Sequence, residues 1–286
     1  VTVAPSAPPA ARLDAATEPA VVALLETDFG RLDAVAGTLA NQVLLDSLDR
    51  GERERFLVWP AHGPRAVLYM SGSGTLVPAG DPAAGAIFAE AAERAGWRVL
   101  VGDGAISEAL LDSYPRGLFR RRPVGREQRF MATSTPPEDP ARPMGFRRAT
   151  YEDVPVMTDF ACALHVEDQM GPPLARSARP AVRARMADSV ARGLTYIVER
   201  DRAVVAKFDL SLHSRTRGAQ IAGVFVQAEY RGLGITSGAV ATIVRELLAD
   251  GLPGVTLHVR ADNTPAIAAY RRAGLADRGA WTLAIR

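Results

Sequence analysis

Along the first half of the chain, apolar residues recur first at helical and then at strand spacing. Glu18 to Glu26, behind Thr17 as a cap, and roughly Arg31 to Leu48, with Leu32, Val35, Leu39, Val43 and Leu44 on one face, read as helices. Phe56-Leu-Val-Trp59 and Ala66-Val-Leu-Tyr69 read as strands joined by His62-Gly63-Pro64, and Leu76-Val77 begins a third. Pro82 to Ala95 is a helical run stopped by Gly96, and Trp97 to Val101 is a short buried strand. Ile106 to Leu111 is a brief helix before Tyr114-Pro115, and Arg126 to Met131 closes the series as a strand.

Thr133-Ser-Thr-Pro-Pro-Glu-Asp-Pro-Ala-Arg-Pro143 then interrupts the pattern. Four prolines in a polar run predict a semi-rigid, extended linker. A second series follows. Phe146-Arg-Arg148 is a short strand, Thr150-Tyr-Glu-Asp153 has the spacing of a capping box, and a helix runs from there to about Ala163. Pro172-Pro173 breaks the chain, and Pro180 to Ala191 is helical up to Gly193. Thr195 to Glu199 and Ala203 to Leu212 are strands about the Asp201-Arg202 turn. The expected layout is a disordered or extended Ala/Pro-rich 1–11, an α/β domain over 12–131, a linker over 132–145 and a second domain over 146–286.

The most informative stretch lies near the end. Ile221-Ala-Gly-Val-Phe-Val226 is a strand, Arg231-Gly-Leu-Gly-Ile-Thr236 a glycine turn, and Val240, Ile243, Val244, Leu247 and Leu248 line one face of a helix. Val255-Thr-Leu-His-Val259 is a second strand, followed by a helix over Asn263-Thr-Pro-Ala-Ile-Ala-Ala-Tyr270 and then Gly274. A glycine turn feeding a helix makes an anion cradle: the first-turn N–H groups lack intrahelical partners and the helix dipole favours negative charge. Gly232 and Gly234 remove side chains that would hold a phosphate away.

Arg231-x-x-Gly234, with Asn263-x-x-Ala266-x-x-x-Tyr270-x-x-x-Gly274 on the following strand–helix unit, resembles the acetyl-CoA signature of the GNAT superfamily of N-acetyltransferases. The resemblance covers 146–286 and implies an α/β (α+β) GNAT fold, a mixed central sheet flanked by helices, with a smaller α/β domain before it. That smaller domain echoes the second half. Aligning Tyr114 with Tyr270 puts Ser107 where Asn263 stands, with no Arg-Gly-x-Gly ahead of the helix, so it reads either as a degenerate copy of the fold or as an unrelated domain. The family usually has Gly or Ala at the position of Thr236. A β-branched side chain there crowds a pyrophosphate, whereas its hydroxyl can donate a hydrogen bond to it.

A nicotinamide-binding unit is the nearest rival, since Gly232-Leu-Gly234-Ile-Thr-Ser237 approaches G-x-G-x-x-G and Asp262 follows the next strand. Gln227-Ala-Glu-Tyr-Arg231 separates these glycines from the strand, and too little chain remains for further βα units. A Walker loop fails because no Gly-Lys-Ser/Thr follows. Ser71-Gly-Ser-Gly74 and Gly102-Asp-Gly104 are ordinary turns.

Composition narrows the partners. A formal net charge of +2 in 286 residues argues for neither nucleic acid nor membrane. The single cysteine, Cys162, excludes a disulfide framework and a cysteine metal cluster, so no metal is expected. No apolar run reaches membrane-spanning length, and the expected location is cytoplasmic, as a monomer or homodimer. Lys207 is the only lysine among 34 basic residues; GC-rich coding is the ordinary cause of such a bias, and a lysine-acetylating enzyme avoiding its own chemistry would leave the same pattern.

Acetyl transfer to an amine needs a held donor, a neutral amine, a stabilised oxyanion and a protonated leaving thiolate. By resemblance, acetyl-CoA is the cosubstrate. Its pyrophosphate is expected on Leu233, Gly234, Ile235, Thr236 and Ser237, beside Arg231 and Gly232. Its pantetheine arm is expected along Val224, Phe225 and Val226, facing Asn263 and Ala266, with an N–H near Phe225 or Val226 as oxyanion donor. Tyr270 is the candidate acid for the thiolate. A lysine-like amine of pKa ~10.4 is neutral in only about one molecule in 2,500 at pH 7, so a base or desolvation must act. Asp209, Glu167 and His258 are the main candidates, with Asp168 and His213 beside them, whereas His165 reads as helix surface or core. Each also has a structural reading, as a paired strand charge, a solvated helix end or a satisfied core histidine. The acceptor is a small-molecule, peptide or protein amine. The competing class is a CoA-binding regulatory or sensor module without turnover.

Overall fold

A computed structural model of the chain describes residues 9–27, 34–114, 123–138 and 141–286. The chain divides into two compact units, 1–130 with Arg278–Arg286, and Met131–Asp277. In the first, the order is β1 (Ala11–Arg12), α1 (Glu18–Glu26), α2 (Ala34–Ala40), α3 (Gln42–Asp49), β2 (Phe56–Trp59), β3 (Ala66–Met70), β4 (Thr75–Gly80), α4 (Gly85–Ala95), β5 (Val99–Asp103), α5 (Gly104–Asp112) and β6 (Gly125–Thr133), within which the division falls. In the second it is β7 (Phe146–Arg148), α6 (Val154–Glu167), α7 (Arg179–Ala191), β8 (Thr195–Arg200), β9 (Ala203–Ser214), β10 (Gly218–Val226), α8 (Ile235–Ala249), β11 (Val255–Arg260) and α9 (Thr264–Arg272). β12 (Ala276–Ile285) follows.

Period-two alternation sorts each sheet's side chains between its faces. In the first unit, Leu68, Leu76 and Leu100 pack with Phe88 of α4 and Leu110 of α5. Their neighbours Val67, Tyr69 and Val77 pack instead with Leu25 of α1 and Leu45 of α3. In the second unit, Tyr196 and Val198 of β8 join Val240 and Val244 of α8, while Ile197 joins Met157 of α6 and Met186 of α7. Both units therefore carry helices on both faces. They also repeat one order of elements: a strand, helices, three antiparallel strands, a helix, a strand parallel to the last, and a helix. In the sheets, β1-β2-β3-β4-β5 and β7-β8-β9-β10-β11 run in the same neighbour order.

Several expectations are adjusted. The predicted Arg31–Leu48 helix is broken at Asn41, whose buried amide reaches back to the Leu25 carbonyl at 2.9 Å; its first residues, Leu32 among them, lie outside the described residues. Thr17 is the N-cap of α1 as expected but makes no side-chain cap hydrogen bond; the Asp14 carboxylate accepts from the Thr17 N–H at 2.8 Å. Ala11, at the end of the segment expected to be disordered or extended, is extended and begins a strand; residues 1–8 of that segment lie outside the described ones. β12, which falls within the expected 146–286 domain, pairs from Trp281 to Ile285 antiparallel with β5, inside the first unit. Trp281 stacks on Phe130 at 5.1 Å and Ala284 is buried with Leu100, which supplies the apolar contact that draws β12 there.

The expected linker packs on the second unit's own helix. Gly238 of α8 lets the Ala141 carbonyl approach so closely that a Cβ there would come within 2.5 Å of it. Arg142 reaches Glu246 of α8 at 3.3 Å. The Thr150–Asp153 capping box is present, and α6 runs on to Glu167, which brings His165 and Glu167 onto the helix and Asp168 to its end.

Candidate acetyl-CoA site

β10 and β11 pair in parallel only at Ala219, Gln220 and Ile221, and past this point they diverge. The opening is enlarged from the β9 side, where one extra β10 residue is inserted between the Ala222–Asp209 and Phe225–Lys207 pairs. Gly223 takes a φ of +57° in this bulge. Beyond it the Gln227 N–H donates to the Val205 carbonyl of β9 at 2.9 Å. Antiparallel alternation then aims the Val226 N–H at the opposite edge, into the gap that β11 leaves. That N–H is well placed for a carbonyl or pantetheine oxygen.

A cavity of about 470 Å³ fills this gap, lined by Val224, Phe225 and Val226 on one side and Asn263, Ala266 and Tyr270 on the other. Gly232, Gly234, Ile235, Thr236 and Ser237 close one end. Gly232 and Gly234 sit at φ of +78° and +77°, a left-handed turn that L side chains resist. A Cβ at Gly232 would meet nothing within 4 Å. Gly234 is the N-cap of the fifteen-residue α8 and gives it no side-chain cap. The first-turn N–H groups therefore face open space with the dipole's positive end, and the cradle fits a phosphate.

Two expected contacts are committed elsewhere. The Arg231 guanidinium donates to both Glu167 carboxylate oxygens at 2.9 Å and to the Val226 carbonyl, and its amide donates to Ala228 at 3.2 Å. Arg231 thus braces the end of β10 against α6 while still lining the cavity beside Gly232 and Gly234. Asn263 caps α9, its Oδ1 accepting from the Ala266 N–H at 3.2 Å, which leaves its NH₂ as the group turned to a ligand.

Asp168 and Leu164 also line a second cavity of about 470 Å³, with Ala222 and Gly223 of β10, Lys207 and Asp209 of β9, and residues of α6 and α7. The wall of β10 changes cavity at the bulge. Among the carboxylates here, Asp209 is paired with the Lys207 ammonium and accepts from Thr195 Oγ1 at 3.0 Å. Glu167 is held by Arg231. Asp168 lies where the two cavities meet; burial, aided by the Glu167 charge and opposed by Arg260, raises its pKa. Burial pushes His258 down to about 4, and it lines neither cavity. His165 lines the second cavity, and exposed His213 neither. Burial, with a smaller push from Asp168, raises the Tyr270 phenol well above its ordinary value.

Residues 162–275 match the family model described as Acetyltransferase (GNAT) family. The chain carries a GNAT-family domain. Acetyl transfer is the general activity that this supports. A solved GCN5-related N-acetyltransferase from Sphaerobacter thermophilus aligns with a TM-score of 0.62 at 19% identity, covering 97% of this chain and 95% of that one. An acetyltransferase from the GNAT family from Colwellia psychrerythraea gives 0.57 at 11% identity, over 97% and 100%. At these identities the likeness is one of fold. No curated protein matches the sequence significantly.

Within the GNAT domain, reading the sequence missed the part played by Lys207, whose side chain is 1% exposed, and by the Gly223 bulge. A glycine inside the strand-like run Ile221–Val226 was the available signal, since such a glycine marks a bulge or a close backbone approach.

Proposed function

We propose that the protein transfers the acetyl group of acetyl-CoA directly to an amine that enters the second cavity. The observation carrying this reading is that two cavities meet at Asp168, one with a phosphate-compatible cradle and the other with a mixed polar and apolar lining. The amine nitrogen attacks the thioester carbon, the C–S bond breaks, and the amine proton passes to Asp168. The Val226 N–H supports the oxyanion, a role typically worth ~10²–10³ in rate. Tyr270 donates its O–H to the departing sulfur. Asp168 suits the base role because its raised pKa brings it closer to neutrality than an ordinary carboxylate.

The first unit is best read as a degenerate copy of the same fold, on the strength of the repeated order of elements, and as having no donor site of its own. Titration with acetyl-CoA followed by thiol release across a panel of amines tests the proposal. One site per chain and release with some amine are expected. Binding without release on any amine would instead favour a sensor, and no binding would defeat both readings.

A further inference from the structure

The only lysine of the chain sits in the core of the GNAT domain. Lys207 is 1% exposed, and its ammonium has two partners: the Asp209 carboxylate and, at 2.9 Å, the carbonyl of Gly223. Asp209 accepts in turn from Thr195 Oγ1 at 3.0 Å, and Thr195 Oγ1 lies 2.7 Å from Ser189 Oγ. A chain of polar contacts thus runs from α7 through β8 and β9 and ends on one carbonyl of β10, the carbonyl of the bulge.

That carbonyl belongs to the residue whose φ of +57° breaks the ladder. A Cβ on Gly223 would come within 2.5 Å of Asp209 Oδ2 and 3.0 Å of Lys207 Nζ, so the bulge backbone rests directly on the ion pair. Bulges leave ladder groups unpaired and re-aim the residues beyond them. Here those residues are Val224, Phe225 and Val226, the β10 wall of the donor cavity. An apolar side chain at 207 would fill the same space but leave the Gly223 carbonyl without its donor.

Building on the acetyl-transfer reading, we propose that Lys207 and Asp209 are positioning residues. Together they hold the β10 bulge so that the Val226 N–H points into the donor cavity. Both also line the second cavity, but their hydrogen bonds run to each other, to Thr195 and to the bulge carbonyl, so they act through the backbone.

The test uses Lys207→Met and the neutral pair Lys207→Met with Asp209→Asn, the second because an unpaired buried carboxylate in the first is a reason for it not to fold. Three readouts are followed: acetyl-CoA affinity, single-turnover transfer, and hydrogen exchange of the 218–226 segment. The expected result is affinity within about threefold, transfer slowed about 10–100-fold as an oxyanion donor is misaligned, and exchange faster at the bulge than in β8. Parental transfer and exchange in the double variant would overturn the proposal. The single lysine adds a measurement on the unaltered protein. Its labelled ammonium should give one slowly exchanging NMR signal that shifts when acetyl-CoA is added, and a fast-exchanging, unresponsive ammonium would also count against it. If the parent transfers to no amine, the acetyl-transfer reading fails, while the exchange and NMR results still decide whether the pair holds the bulge.

Discussion

Tyr270→Phe removes one hydroxyl and keeps a ring that is 6% exposed and packed in the core of the GNAT domain, so folding and acetyl-CoA affinity should change little. Its effect on the reaction can be bounded. Handing a proton from an ordinary phenol, pKa about 10, to a thiolate whose acid is near 8.5 is uphill by about 2 kcal/mol. Burial and the Asp168 charge raise the phenol further and make complete transfer harder. What remains available is a hydrogen bond from a neutral phenol to a sulfur gaining charge. Hydrogen bonds to charged groups contribute about 1.5–3 kcal/mol, or roughly 10–150-fold in rate.

The loss should therefore fall on kcat, at constant acetyl-CoA affinity, and below the 10²–10⁴-fold range of a full general acid in its upper part. Single-turnover transfer, with circular dichroism run first, is the assay. The defect should shrink with an acyl donor whose thiol is more acidic. Turnover within about twofold of the parent would make Tyr270 structural. A loss beyond about 10⁴-fold would refute the reasoning from the other side, because it would require complete proton transfer from this phenol.

Gly234→Val should abolish acetyl-CoA binding in calorimetry and lower Tm, because a branched side chain is strained at a φ of +77° and also enters the open space at the start of α8. Native-like affinity would mean that this turn is not the cradle. Thr236→Ala should tighten binding or leave it unchanged, and a large loss would show that the hydroxyl bonds the phosphate. Asp168→Asn should slow transfer and flatten the rise of kcat/KM with pH. The same substitution should raise Tm at pH 7: a carboxyl whose folded pKa is raised adds stability only when protonated, and that stability is lost as pH rises through the folded pKa. A Tm gain that does not disappear towards pH 3 would show that Asp168 is not the cause.

Much of this was legible because it is local. Apolar periodicity located most helices and strands, and the Arg231–Gly234 and Asn263–Tyr270 motifs located the cavity that they line. What was not legible depends on which side chain finds which partner. Arg231 lies in a phosphate-binding pattern, yet Glu167, distant in sequence, claims its guanidinium. Asp209 and Glu167 have the right chemistry for a base, and only the fold pairs each with a cation. The placement of β12 turned on Trp281 meeting Phe130, a long-range contact that no local window contains.

The two units share an order of elements but differ where the GNAT domain has its candidate donor cavity. In the GNAT domain β10 and β11 diverge after Ile221, and α8 begins at a glycine without a side-chain cap. In the first unit β4 and β5 pair at Thr75–Val99 and Leu76–Leu100 and remain close beyond them: a Cβ on Gly102 of β5 would lie 2.8 Å from Pro78 of β4, and one on Gly85 of α4 would lie 2.6 Å from the Ala109 backbone of α5. The turn that leads into α4 is already capped, since the Asp81 carboxylate accepts from the Ala83 N–H at 2.9 Å. That carboxylate is also paired with the Arg65 guanidinium, so it holds the turn rather than standing as a free charge at the start of α4. A helix start without a side-chain cap is common to α4 and α8, so what sets the GNAT domain apart is the gap that opens between its parallel strands after Ile221.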